Sequence, residues 1–348
     1  MTTPSIGALN TGPDYHLLDH IAPLADLLDI PLIVSEESNY ALAKTYYPHV
    51  RTEYKEDLEF ELRSLAERFD ALIECKYWKP QLKHLFQSLH RKKVDLIFCP
   101  HGQSDKGKAS PLLAPYAEQD IVLLYGDLLV SMLEELELWP KINRFAFIGD
   151  YRLVHYQKYK ALYDEQAERE IFSLFSANTQ TLLYAPTWQD ADKATSFFTY
   201  LDKVLADIPP HWNVIVKVHP LLEQRNPAQY YDALRRIDKA PRTRLVSHFP
   251  PVHPILNRVD AYLGDFSSVG YDMLFYQKPM FFFPSPGLPE GRLRHCGQMV
   301  SSDKHLFSLI EASLDLRKQQ TSLYRSAFRQ NMPSDKIRDS IHRLVLSQ

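Results

Sequence analysis

The stretch 262–275, YLGDFSSVGYDMLF, runs an apolar strand into an acid, two serines and a glycine before leaving as an amphipathic helix. The strand should end near Leu263, so Asp265, Ser267 and Ser268 fall in the strand-to-helix turn. Free backbone N–H groups and the helix dipole favour an anion there, and the hydroxyls add donors to phosphate oxygens. Asp272 follows Ser268 by four residues, one helical turn, so its carboxylate can reach ribose hydroxyls while the turn holds a diphosphate. The same residues also suit an ordinary helix cap, and the segment is not a glycine-rich phosphate fingerprint.

In VIVKVHP, Lys217 and His219 alternate at the end of an apolar strand and so share a face, and Pro220 stops the strand. A cation beside an imidazole suits a diphosphate leaving group, where negative charge grows as the bond breaks. In the first half, VDLIFCPHGQSDKGK delivers His101 to a strand end, followed by Gly102, Lys106 and Lys108. An imidazole with an ordinary pKa of about 6.5 can take the proton of an acceptor hydroxyl. Gly102, Lys106 and His16 are placed on the same acceptor side.

Thr187 and Trp188 close a strand in TLLYAPTWQD, and Arg152 follows another in FIGDYR. Thr187 can donate to a phosphate and Arg152 can pair with one bidentately; for each alone, turn chemistry or a solvated arginine is the favoured reading. His248 and His253, in SHFPPVHPIL, line a base pocket or simply form a turn. His16 and His20 share a helix face at i, i+4 spacing, with no third ligand suggested. HExxH, GxSxG and GxxxxGK[ST] are absent from the sequence, as is a tight acidic cluster of metal-binding type. Neither a metal nor an organic cofactor is expected.

The elements that must position these residues alternate along the chain. Strands are expected near SIGAL, IPLIV, ALIEC, VDLIFCP, IVLLYG and FAFIGD, with helices such as DYHLLDHIAPLADLLD between them. A charged helical segment, HYQKYKALYDEQAEREIFSLFS, precedes a second series: TLLYAPT, WNVIVKVHP, TRLVSH, AYLGDFS and PMFFFP. Alternation of this kind reads as α/β, with parallel sheets wound on both faces. A chain of 348 residues exceeds what one core usually supports. The expected division is 1–155, an acceptor-side Rossmann-like domain; 176–330, a nucleotide-donor domain; and 331–348, a final helix returning to the first domain. Paired domains of this type hold ligands in the cleft between them, at strand carboxyl ends.

A formal net charge of -3 provides no global field to recruit nucleic acid or anionic membrane, so phosphate recognition must be local. The cysteines, Cys75, Cys99 and Cys296, are odd in number and far apart, which argues against a disulfide framework and for a reducing cytoplasm. The N-terminus lacks the basic and apolar regions of a signal peptide, and no apolar run approaches about 18 residues. Membrane contact is expected to be peripheral at most.

Taken together, these residues resemble the CDP-glycerol glycerophosphotransferase family, the teichoic-acid polymerases and primases of GT-B type. FCPHGQSDKG is similar to the family's histidine-glycine motif, FIGDYR to its glycine-to-arginine turn, and LYAPTW to its proline-threonine-tryptophan stretch. VKVHP and LGDFSSVGYDMLFYQKPMFFF are similar to its histidine-proline strand end and its serine-serine motif. The resemblance implies a GT-B fold and transfer of a glycerol-phosphate, polyol-phosphate or sugar unit from a nucleotide-diphosphate donor. The acceptor would be a polyol, glycan or lipid-linked hydroxyl in cell-envelope polymer synthesis. It also implies His101 as the acceptor-activating base, His219 on the diphosphate side, and Ser267 with Ser268 on phosphate. DFSSVGYD is similar in layout to the nucleotide turn of UDP-N-acetylglucosamine 2-epimerases, which implies ribose binding by Asp272. CDP-glycerol, CDP-ribitol and nucleotide sugars stay open as donors, because lysine precedes the valine of KVHP where the family commonly has arginine. An epimerase-like enzyme and a catalytically silent nucleotide-binding protein remain the alternatives.

Overall fold

A computed structural model describes residues 3–56, 58, 61–105, 112–175, 179–188, 195–284, 291–300 and 305–346. The chain forms two compact units. The first comprises Met1–Gly102, Gly107–Lys158 and Ser326–Gln348, and the second comprises Gln103–Lys106 and Tyr159–Arg325.

The first unit is built on β1 (Ile6–Asn10), β2 (Leu32–Val34), β3 (Thr52–Tyr54), β4 (Ala71–Glu74), β5 (Asp95–Phe98), β6 (Ile121–Leu124) and β7 (Phe145–Phe147). They form one sheet in the order β3-β2-β1-β4-β5-β6-β7, every pairing parallel. Helices cover both faces of such a sheet, so its central strands are apolar throughout rather than alternating. IGALN in β1 and IVLL in β6 are accordingly buried at every position. β3, which the sequence reading did not include, is three residues, TEY, at the sheet edge; its half-exposed polar side chains carry no strand pattern.

The helix Leu18–Leu28 is buried at every residue but Asp26 and contains Pro23. A proline lacks the N–H that would bond the carbonyl four residues back, here that of Asp19. Nε of Arg152 donates to that carbonyl at 3.0 Å, and the guanidinium also pairs with the Asp19 carboxylate. The interior proline is tolerated because a side chain from the helix Tyr151–Lys158 supplies the missing donor.

The C-terminal segment completes this unit. Arg329 N–H donates to the Tyr125 carbonyl at 2.9 Å, and its guanidinium lies 3.7 Å from the centre of the Phe147 ring. A Cβ at Gly126 would stand 2.6 Å from the Ala327 carbonyl oxygen, and one at Gly149, where φ is +57°, 2.6 Å from that of Arg329. Glycine thus ends both strand segments because the returning backbone crosses there. The final helix, Ser334–Leu346, is held by Arg338, which donates to the Leu27 carbonyl at 3.0 Å.

The second unit carries β8 (Gln180–Ala185), β9 (Trp212–Lys217), β10 (Thr243–Val246), β11 (Ala261–Gly264), β12 (Met280–Phe282) and β13 (Gln298–Met299). Their order, β10-β9-β8-β11-β12-β13, is that of a doubly wound dinucleotide-binding sheet, again wholly parallel. Its core packs Leu182, Val214, Val216, Leu263 and Phe281 against Phe197, Leu201 and Ile237 of the covering helices. β13 is two residues long and gave no sequence signal. The charged segment read as one helical stretch is two helices, Tyr151–Lys158 and Lys160–Glu170, broken at Tyr159 where the units divide. Among the described residues no helix is long and apolar enough to cross a membrane, and all three cysteines are free and buried.

Candidate functional site

In the second unit the strand order reverses between β8 and β11, which puts the switch point at their carboxyl ends. Thr187 and Trp188 leave β8 there, Lys217 and His219 leave β9, and Asp265 to Ser268 leave β11. The close approach of β8 and β11 requires a glycine at position 264. A Cβ there would stand 2.7 Å from the Ala185 carbonyl oxygen and 2.6 Å from the Tyr262 hydroxyl.

Asp265 is 1% exposed, and its Oδ2 accepts the backbone N–H of Thr187 at 2.8 Å and of Ser196 at 3.2 Å. The carboxylate is therefore a clasp between the β11 turn and the loop after β8. Ser267 is the extended N-cap of the helix Ser268–Met273, and its Oγ lies 3.4 Å from the Tyr262 hydroxyl. Ser267 and Ser268 are both half-buried. Asp272, on the second turn, is 2% exposed and so faces the interior of this unit. Thr187 is buried, and its carbonyl accepts the Thr195 hydroxyl at 2.7 Å.

Nζ of Lys217 donates to the Phe249 carbonyl at 2.7 Å, which fixes the ammonium at the end of β9. Nδ1 of His219 accepts the Leu221 N–H at 3.2 Å. An Nδ1 that accepts leaves Nε2 as the protonated nitrogen, so the ring presents an N–H donor. The Trp188 ring centre is 6.1 Å from that of His219, and the Arg225 guanidinium lies 4.8 Å over Trp188. A donor imidazole, a fixed ammonium and two hydroxyls at one sheet edge are group types that can donate to phosphate oxygens. His248 is exposed after β10, whereas His253 is buried with its Nδ1 3.1 Å from the Tyr276 hydroxyl.

In the first unit His101 follows β5 at the carboxyl edge. Its Nδ1 donates to the Cys75 carbonyl at 3.1 Å, which puts the lone pair on Nε2. The ring edge is open while its surroundings are crowded with protein atoms. Desolvation lowers its pKa from the ordinary 6.5, opposed by the Cys75 carbonyl and by Asp14. Gly102, at φ +108°, donates its N–H to the Tyr125 hydroxyl at 3.0 Å, and that hydroxyl donates to the Pro100 carbonyl at 2.8 Å. Tyr125 thus clamps both sides of His101, and Nδ1 of His20 lies 3.4 Å from its oxygen. His20 and His101 ring centres are 6.4 Å apart, and His16 is half-buried one turn earlier.

The switch point of this sheet, between β1 and β4, gathers groups the sequence reading passed over. The Thr11 hydroxyl donates to Glu74, Lys76 donates to the Thr11 carbonyl at 2.6 Å, and Lys76 pairs with Asp14 at 2.8 Å. Burial raises the Glu74 pKa, with Thr11 and Lys76 opposing. The signal was faint: a lone glutamate at the end of ALIEC. Arg152, expected to pair with a phosphate, is 5% exposed and committed to Asp19, so phosphate binding would require opening that ion pair. Lys106 and Lys108 lie outside the described residues.

Two doubly wound parallel sheets with flanking helices define an α/β fold of GT-B type. Residues 159–285 match the family described as CDP-Glycerol:Poly(glycerophosphate) glycerophosphotransferase, which bears out the resemblance drawn from the motifs. The fold is similar to that of the wall teichoic acid polymerase TagF, at 16% identity over 99% of this chain and 89% of that one, with a TM-score of 0.66. It is also similar to Alr3699/HepE of Anabaena, at 11% identity over 99% of this chain and 100% of that one, with a TM-score of 0.58. Comparison with curated proteins finds no match.

Proposed function

We propose that this protein is a transferase that moves a glycerol-phosphate or other polyol-phosphate unit from a CDP-glycerol-like donor to an acceptor hydroxyl in cell-envelope polymer synthesis. The observation that carries this reading is a coincidence of position. The segment matching the glycerophosphotransferase family, 159–285, contains the β8–β11 switch point with Thr187, Lys217, His219, Ser267 and Ser268. A TagF variant has been solved after soaking with CDPG, which supports a cytidine donor.

In this mechanism the turn after β11 and the two serine hydroxyls hold the diphosphate, and Asp265 holds the turn. Nε2 of His101 takes the proton of the acceptor hydroxyl as its oxygen bonds to the phosphorus that carries the polyol. The bridging P–O bond breaks, and its electron pair leaves with the nucleotide phosphate. His219, through Nε2–H, and Lys217 stabilise the charge that develops on that leaving group. Asp272 is the ribose partner in this scheme, reached by a rotation of its buried side chain. Acceptors of polyol, glycan or lipid-linked type fit the scheme, as does action in the cytoplasm with at most peripheral membrane contact.

Calorimetric titration with CDP-glycerol, CDP, UDP and UDP-glucose, followed by a transfer assay, tests the reading. Cytidine-selective binding lost in a Ser267→Ala/Ser268→Ala variant is the expected result. Uridine selectivity would instead favour nucleotide-sugar transfer, the second reading, which draws on HepE having been solved in complex with UDP-glucose. Failure to bind any of the four nucleotides would remove both.

A further inference from the structure

Late in the helix Leu18–Leu28, in the loop before β3, and late in the helix Tyr151–Lys158, the first unit brings together Asp26, His49 and His155. Helices in a parallel sheet run back from its carboxyl edge, so this cluster lies toward the amino edge, away from His101. No step of the proposed transfer uses it.

Nε2 of His49 and Nε2 of His155 are 3.2 Å apart, and Nδ1 of His155 is 3.3 Å from Oδ2 of Asp26. One ligand atom from each of the three residues lies within 4.8 Å of the others. In a straight N–H···N hydrogen bond of that length the ring centres would stand about 5.5 Å apart. They are 4.9 Å apart with their planes tilted by 42°, so the rings lean off the line of a straight bond. A ring separation short of the straight-bond value is compatible with two imidazoles that share a third atom. For zinc–nitrogen bonds of about 2.05 Å, a tetrahedral site puts the nitrogens about 3.3 Å apart and the ring centres about 5.2 Å apart.

Asp26 supplies the second feature of such a site. Oδ2 of Asp26 stands 3.3 Å from Nδ1 of His155 as an ion-pair contact, and its negative charge favours a proton on Nδ1 and a lone pair on Nε2. Lys158 donates to the same oxygen at 2.9 Å and holds the carboxylate in place. His155 is buried, while His49 is half-buried and gives the cluster its route to solvent. We propose that His49 and His155 bind a divalent cation of the zinc class through their Nε2 atoms, with Asp26 orienting His155 and water completing the coordination. Such an ion ties the two helices to the loop before β3 and stabilises the first unit.

The test uses the full chain, stripped with EDTA and titrated with zinc chloride by calorimetry, with thermal melts in parallel. Saturable zinc binding is expected, together with a Tm that rises with zinc concentration. Truncation of the buried His155 can unfold the chain, so His49→Ala carries the test. Its Tm should not respond to zinc, whatever the cost of losing the His155 contact, and the saturable binding should be lost. Asp26→Asn should weaken binding about 10-fold. Cobalt in place of zinc should give the visible absorption of a tetrahedral site in the native chain only. Absence of saturable zinc binding, or binding that survives His49→Ala, overturns the proposal and leaves the two imidazoles as a hydrogen-bonded pair.

Discussion

Nε of Arg152 donates to the carbonyl of Asp19 at 3.0 Å, the acceptor that Pro23 leaves without a backbone partner. Arg152→Met removes that donor and leaves the Asp19 carboxylate buried without its guanidinium, a loss of about 3–5 kcal/mol. Pro23→Ala restores the backbone N–H, so the two substitutions should be coupled in a double-mutant cycle followed by urea denaturation. The cost of Arg152→Met should be smaller in the Pro23→Ala background. Equal costs in both would show that the proline and the arginine act independently.

The tautomer of His101 sets a pH profile. With Nδ1 bonded to the Cys75 carbonyl, the free lone pair is on Nε2, and desolvation lowers the pKa below 6.5. The base form is therefore populated at neutral pH. Transfer should be lost as pH falls through a midpoint below 6.5 and should be flat just above it. His101→Gln should lower kcat by about 10²–10⁴-fold and abolish that acid limb. A variant retaining both rate and limb would exclude His101 as the base.

Tyr125→Phe tests the clamp on the same turn. The variant loses the acceptor for Gly102 N–H and the donor to the Pro100 carbonyl. Because both partners stay in place, the expected loss is about 1–3 kcal/mol of stability by denaturant melt. If His101 is the base, a larger fall in kcat than in donor affinity should accompany it, since the tyrosine holds the turn that carries His101.

The serines and the aspartate of DFSS should separate cleanly. Ser267→Ala/Ser268→Ala should weaken nucleotide binding by about 1–3 kcal/mol per charge-assisted bond lost and leave the melting temperature nearly unchanged. Asp265→Ala should instead destabilise the fold, because it strands the N–H groups of Thr187 and Ser196. Thermal melts alongside titrations distinguish the two outcomes.

His49 makes stability depend on acid. Burial and the neighbouring His155 lower its pKa from 6.5 to about 4. Between those values the unfolded chain binds the extra proton, so the contribution is complete above pH 6.5 and is lost as pH falls to about 4. Solvent at the half-buried ring reduces the effect to about 1–2 kcal/mol. His49→Gln should flatten denaturation midpoints over that interval, whereas an unchanged slope would assign the acid sensitivity to other groups.

Much of the fold was legible because its signals are local. The apolar runs of β1, β4 to β9, β11 and β12, and the polar residues ending them, follow from burial on both sheet faces and from turn chemistry. Thr187, Lys217, His219, Ser267 and Ser268 could therefore be assigned to strand ends from sequence, and parallel pairing collects them at one edge. β3 and β13 were not legible, since two or three residues at a sheet edge carry no period.

What the sequence determined by itself is the alternation of elements and the residue types at the strand ends, because both depend on neighbours within a few positions. What only the tertiary structure decided is where each polar side chain spends its hydrogen bonds. Arg152 reaches Asp19 across 133 positions, Asp265 reaches Thr187 across 78, and Tyr125 reaches Gly102 across 23. A local pattern cannot encode these partners. Each exists because a buried polar group must be satisfied by whatever the folded chain brings beside it.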